Sequence, residues 1–287
     1  MRNLYRLTIQ LGLLCLLTLL PGACSKSGNQ EKPPAKPDTP AAGAGVHHTF
    51  RIPVETLGER HPDLSRGDAV WALLPYPGEP QKYRLAHGEL LDWNDQGAIV
   101  ENSGTRTGSI PWTLVHPMKP VDTKPGAPVL VAGSAGVYMA RVVEVSPTDV
   151  KIRRIWRDST RTETVSSRDL IVQTPARGFG QVVFYNYRNR WNQGLMLLEE
   201  NRHIWVTESL GGIVIQVGAV NTVSWNPDFV PQLEQDVEAC RSGSSNLNRA
   251  TIQQVHEDGL FYSVRLSNLS IRQHVPFWEI LPAGLVL

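Results

Sequence analysis

One short phrase occurs twice in this chain and limits how the chain can fold. Ile110-Pro111-Trp112-Thr113-Leu114-Val115-His116-Pro117 closes one stretch, and Val275-Pro276-Phe277-Trp278-Glu279-Ile280-Leu281-Pro282 closes the chain. Each runs apolar residue, proline, aromatic, short spacer, two apolar residues and a second proline. Ahead of each lies the same kind of run, in which apolar and polar residues alternate and turn residues interrupt. A phrase that returns in the same setting marks a repeat, here of about 55 residues.

Two more repeats follow from the spacing of opening strands. These strands recur at Val70, Val129, Val182 and Val237, at intervals of 59, 53 and 55 residues. Each leads into a long second strand (Tyr83–Leu91, Tyr138–Val145, Gly194–Leu198, Arg249–Val255), then a turn and a returning strand. Phe50–Leu57 also alternates and is expected to add a strand. No 3.6-residue pattern runs longer than about ten residues, so helices are not expected. Short strands with turn signals every 8 to 12 residues or so indicate small barrels or sandwiches. The expected fold is all-β: four tandem small barrels over 48–118, 119–174, 175–230 and 231–287. A pair of larger β-sandwiches is the alternative.

The first 23 residues read as a leader. Arg2 and Arg6 precede a mostly apolar run, Leu7–Leu20, of 14 residues. A membrane-spanning helix needs about 20, so this is the shape of a secretory signal peptide. Its end, Leu20-Pro21-Gly22-Ala23-Cys24, resembles the bacterial lipobox, with Pro21 where that family usually has Leu. The resemblance implies that Cys24 is lipidated and becomes the mature N-terminus. It also implies a place in the bacterial cell envelope, held to the membrane by acyl chains. Ser25 rather than Asp after the cysteine points to the outer membrane over the inner. Ordinary secretion with an incidental Cys24 is the alternative. Residues 24–47 are rich in Pro, Ala, Gly, Ser and Lys and nearly free of large apolar side chains. They are expected to be a flexible linker.

Charge and cysteine content narrow the function classes. Losing Arg2 and Arg6 from 28 basic residues leaves 26 against 27 acidic ones, a net charge of −1. That balance does not call for a nucleic-acid partner. Cys240 would be the one remaining thiol, and a lone cysteine forms no internal disulfide. It is expected to pack inside a strand.

The strand grammar resembles the SH3-like barrels of the Tudor and agenet families. The matching parts are Gly67-Asp68-Ala69-Val70-Trp71-Ala72, the turn Val255-His256-Glu257-Asp258-Gly259, and the closing Val275-Pro276 with Ile280 and Pro282. The resemblance covers most of residues 62 to 285. It implies fold. The methyl-reading cages of Tudor domains have no matching residue set here.

The sequence offers no catalytic constellation. Gly133-Ser134-Ala135-Gly136 lacks the spacing of a nucleophile elbow, and Gly178-Phe179-Gly180 lacks the third glycine of a dinucleotide loop. The eight histidines show no metal-site spacing and there is no cysteine pair, so no metal and no cofactor is expected. An enzyme is not expected, though an unrecognised hydrolase is a third alternative. Binding surfaces are. Tyr185, Tyr187, Arg190 and Trp191 lie on the hairpin between the first two strands of the third repeat, where such barrels commonly contact ligands. Aromatics and arginine are enriched at binding hot spots; packing against the neighbouring repeat is the competing explanation. Lys151-Ile152-Arg153-Arg154-Ile155-Trp156-Arg157 is either a basic binding stripe or a solvated strand face. Trp112 and Trp278 are expected to pack on their own barrels. The whole reads as an envelope adaptor that binds a protein partner, with peptidoglycan binding as the alternative.

Overall fold

The computed structural model describes residues 52–76, 78–134, 136–156, 159–240, 246–267 and 272–285. The leader, Cys24 and the linker lie outside the described residues. Among the described residues the regular structure is strands and three-residue 3-10 turns, and no helix is long and apolar enough to cross a membrane.

The strands fall into four groups of five. Unit 1 holds β1 (Ala69–Tyr76), β2 (Glu79–Asn94), β3 (Gly97–Asn102), β4 (Thr105–Arg106) and β5 (Val115–Pro117). Unit 2 holds β6 (Pro128–Gly133), β7 (Gly136–Val145), β8 (Asp149–Trp156), β9 (Ser159–Ser166) and β10 (Leu170–Val172). Unit 3 holds β11 (Val182–Tyr187), β12 (Arg190–Glu200), β13 (His203–Glu208), β14 (Gly211–Gly218) and β15 (Thr222–Ser224). Unit 4 holds β16 (Asp236–Cys240), β17 (Leu247–His256), β18 (Phe261–Leu266), β19 (Arg272–Pro276) and β20 (Ile280–Pro282). In every unit the fifth strand pairs beside the first, and the rest follow in order, all antiparallel.

The register exposes a common frame. Val70, Val129, Val183 and Val237 occupy one position, opposite Gly88, Ala140, Gly194 and Ala250 of the second strand. The equivalent residue in unit 3 is therefore Val183, not Val182 as the spacing suggested. Three residues earlier, Gly67, Gly126, Gly180 and Glu234 all have positive φ. Their amides donate to the carbonyls of Leu90, Val142, Met196 and Ile252 at 2.8 to 2.9 Å. A β-bulge follows those four acceptors in every unit. Bulges raise the local twist and bend the strand, which lets each long second strand curl over its own core.

The closing phrase has a physical reading. Pro111 and Pro276 sit just before a 3-10 turn with φ of −51° and −62°, near the value the proline ring enforces. Ser166 and Gly218 hold the same place in units 2 and 3, with φ of −69° and −67°. The Ser166 hydroxyl also accepts from the Arg168 amide at 3.3 Å. Pro117 and Pro282 end strands that pair on one side only, so their missing N–H leaves no gap in a ladder.

The opening strands are buried on both faces. Val70 and Ala72 point into the unit 1 core, Val129 and Val131 into that of unit 2, Val183 and Tyr185 into that of unit 3. The alternate residues Trp71, Leu130, Val182 and Phe184 join Trp225 and the apolar residues of unit 4 in one central cluster. Burying each such side chain contributes about 1.5–3 kcal/mol. The Arg141 guanidinium lies 4.2 Å from the Phe277 ring, and Arg153 meets Asp258 at 3.3 Å, tying unit 2 to unit 4. Units 1 and 3 share a sheet, because Gly211, Gly212 and Ile213 of β14 pair with Arg84, Tyr83 and Lys82 of β2. The described residues thus form one compact body.

Two local expectations need correction. Of the extra strand expected at Phe50–Leu57, the described part, 52–57, is irregular. Instead the Glu55 amide donates to the Glu200 carboxylate at 2.9 Å, and the Leu57 carbonyl accepts from Thr113. The stretch Gly211–Gly218, to which the sequence assigned no strand, is β14.

Candidate functional site

A cleft of about 660 Å³ opens where units 1, 3 and 4 meet. Tyr76, Glu79 and Lys82 reach it from the β1–β2 hairpin. Glu208, Ser209, Gly211, Gly212 and Ile213 reach it from the β13–β14 turn, Asn246 from the edge of β17, and Glu279 from the last 3-10 turn. The β13–β14 turn is tight, with Ser209 at φ 55°. A β-carbon on Gly211 would sit 3.0 Å from the Tyr76 hydroxyl, so glycine is what allows the turn to approach the hairpin.

The cleft is acidic. Lys82 and Glu79 pair at 2.5 Å, which neutralises one carboxylate. That hydrogen bond and charge raise the Lys82 pKa. Burial lifts the Glu279 carboxyl to about 7. Cys240, fully buried in β16, has its thiol pushed well up by burial and then by Glu279, so it stays protonated. It packs as the sequence indicated.

The hairpin singled out from the sequence borders this cleft through an Asn192–Asn246 bridge. Its four residues divide. Tyr185 is 1% exposed in the unit 3 core, where burial raises its hydroxyl pKa, so the ligand contact expected of it has no open face. The cause is alternation: Val183, Tyr185 and Tyr187 share the inward face of β11. Tyr187, at the strand's end, is half-buried with Arg188 5.0 Å from its ring, and Arg190 is exposed. Trp191 is half-buried and packs against the central cluster.

The basic strand is largely neutralised. Lys151 faces Glu144 at 3.9 Å, Arg153 faces Asp258, and Arg154 meets Glu163 at 2.9 Å while lying 4.0 Å from the Tyr138 ring. The Trp156 side chain and Arg157 lie outside the described residues. Trp112 and Trp278 are buried, the first in the unit 1 core and the second in the central cluster.

One arrangement escaped the sequence. His256 Nε2 lies 2.7 Å and His274 Nδ1 3.3 Å from the Ser263 hydroxyl. These residues lie 7 and 11 positions apart on three consecutive strands, β17, β18 and β19, whose pairing brings them together. The signal was alternation alone, which assigns each a face but not its cross-strand neighbour. Ser263 is fully buried, so its hydroxyl is closed to a substrate. His116 packs against Phe179 with centroids 3.9 Å apart and the rings tilted by 35°, and burial lowers its pKa to about 4. Among the described residues no three His, Cys, Asp or Glu side chains gather closely enough to hold a metal ion.

No protein-family model matches the chain, and no curated protein matches it. Solved structures resemble part of it, two of them from tandem agenet proteins. One is the AGD34 portion of AGDP1 from Arabidopsis thaliana, at 14% identity, covering 37% of this chain and 86% of that one, with a TM-score of 0.20. The other is tandem Agenet domain 3-4 of ADCP1, at 16% identity, covering 37% and 84%, with a TM-score of 0.19. Superposition this loose carries no functional argument. The all-β fold rests on the chain's own strand pairing.

Proposed function

We propose that this chain is a non-catalytic binding protein of the bacterial cell envelope, lipidated at Cys24 and acting as an adaptor for a protein partner. One observation supports it best: the open cleft at the junction of three units, with the exposed tip of the β11–β12 hairpin beside it. Clefts between units, lined by a few polar groups, are the usual places for ligands. The four units present these surfaces as one body, so contacts from different repeats can act on one partner.

The test has two arms. Full-length protein with a C-terminal tag is extracted in mild detergent and used to capture partners from envelope extract. A defined partner lost on Glu208→Gln with Arg190→Ala supports the reading. Retention on purified sacculi with no protein captured supports the cell-wall alternative instead. Separately, labelled palmitate should enter the wild type and not Cys24→Ser. Labelling of both would sink the lipid anchor.

A further inference from the structure

Glu208 and Glu279 line the cleft from different units, and neither has a hydrogen-bond or ion-pair partner among the described residues. Glu279 is mostly enclosed; part of it still sees solvent, yet the surrounding protein raises its pKa to about 7. Keeping a carboxylate so enclosed without a partner is costly, and a cation placed beside it removes that cost. A single metal ion is a poor fit, because no three such groups converge among the described residues. A volume of about 660 Å³ has room for a long side chain and its neighbours.

We propose that this cleft, lined by Glu208 and Glu279, takes a lysine or arginine side chain borne on a partner protein. The proposal rests on the binding-protein reading and names its ligand chemistry. Charge complementarity decides the occupant: the one described cation in the cleft, Lys82, is already held by Glu79 at 2.5 Å. The other titratable groups lining the cleft are Tyr76, Glu79, Lys82 and Glu208, and Cys240 is close enough to Glu279 to feel its charge. A bound cation draws Glu279 into its ionised form, so binding strengthens as pH rises through 7.

The test uses full-length protein in detergent and a fluorescent peptide of alternating glycine and lysine, read by anisotropy. A glycine–glutamate peptide is the control. The lysine peptide should bind, more tightly at pH 8 than at pH 6, and the glutamate peptide should not. Glu208→Gln with Glu279→Gln should weaken binding by about tenfold or more. Glu279→Gln alone should flatten the pH dependence. Equal binding by wild type and double variant would overturn the site. Arg241 belongs to residues outside the description, so Arg241→Ala is run alongside. Binding seen only in that variant would assign the subsite to the chain's own arginine and overturn the partner protein as its occupant. Tighter binding of soluble muropeptides than of the lysine peptide would also overturn a protein occupant. If no peptide binds to either protein while envelope capture succeeds, the cationic ligand falls and the binding role stands.

Discussion

Gly194 of β12 runs so close to Thr207 of β13 that a β-carbon on it would stand 2.0 Å from the Thr207 carbonyl oxygen. The same frame position holds Ala140 and Ala250 in units 2 and 4, where a β-carbon is accommodated. Gly194→Ala must therefore move backbone, not merely a side chain. It should cost about 3 kcal/mol, the upper end for overpacking, whereas Ala140→Gly should cost about 0.5–1 kcal/mol. Urea denaturation of both variants tests the contrast. Equal losses would show that the close approach is not a constraint.

Glu234 should gain from the residue its three equivalents use or need. It has φ 62° where Gly67, Gly126 and Gly180 stand in the other units. A left-handed conformation costs an L-residue about 1–2 kcal/mol, and glycine returns about 0.5–1 of that as extra entropy in the unfolded chain. Glu234→Gly should stabilise by about 0.5–1 kcal/mol, seen as a raised denaturation midpoint. Gly180→Ala should destabilise, because its β-carbon would also meet Ile171 Cδ1 at 2.5 Å.

Acid stability should hide two opposed titrations. His116 titrates at about 4 when folded and near 6.5 when unfolded, so the unfolded chain binds more protons between them. Its contribution is full above pH 6.5 and is lost as pH falls toward 4. Glu279 is raised from 4.5 to about 7, so the folded chain binds more protons there and stability falls as pH rises from 4.5 to 7. Each slope is at most about 1.4 kcal/mol per pH unit. His116→Phe should expose the fall and Glu279→Gln the rise. Denaturation midpoints from pH 4.5 to 7.5, taken as differences from wild type, give the sign. Parallel profiles for all three proteins would refute both assignments.

Trp191 and Arg190 are neighbours with different duties. Trp191→Ala removes packing against the central cluster and should cost about 2–3 kcal/mol. Arg190→Ala, at an exposed hairpin tip, should stay within about 0.5 kcal/mol. Thermal unfolding separates them. A binding defect from Arg190→Ala then reports on the surface, whereas one from Trp191→Ala mixes surface with stability.

Much of the frame was legible because it rests on backbone chemistry with few solutions. Pro111 and Pro276 announce the closing turn since their ring fixes the φ it needs. Ser166 and Gly218 reach that φ without announcing it, which is why units 2 and 3 close alike with no shared phrase. The central cluster was visible only obliquely. Val129-Leu130-Val131 and Val182-Val183-Phe184 are unbroken apolar runs, the mark of strands covered on both sides, but such runs do not say what covers them. The cleft was illegible, because Glu208, Asn246 and Glu279 are assembled by the packing of units and by no local pattern. Tyr185 shows the limit from the other side: aromatic composition drew attention to the hairpin, and strand period placed that ring inside.

The ladder between β2 and β14 imposes an order on folding. Lys82, Tyr83 and Arg84 await partners at Ile213, Gly212 and Gly211, more than a hundred residues further along the chain. Unit 1 must spend that interval with a bare edge, and two of the three waiting residues are cations, the residues that best discourage stray pairing. Pairing over so long a separation is slow to form. The late step in folding should therefore be the docking of unit 3 onto unit 1, so a chain truncated before Gly211 should hold unit 1 in a protease-sensitive form.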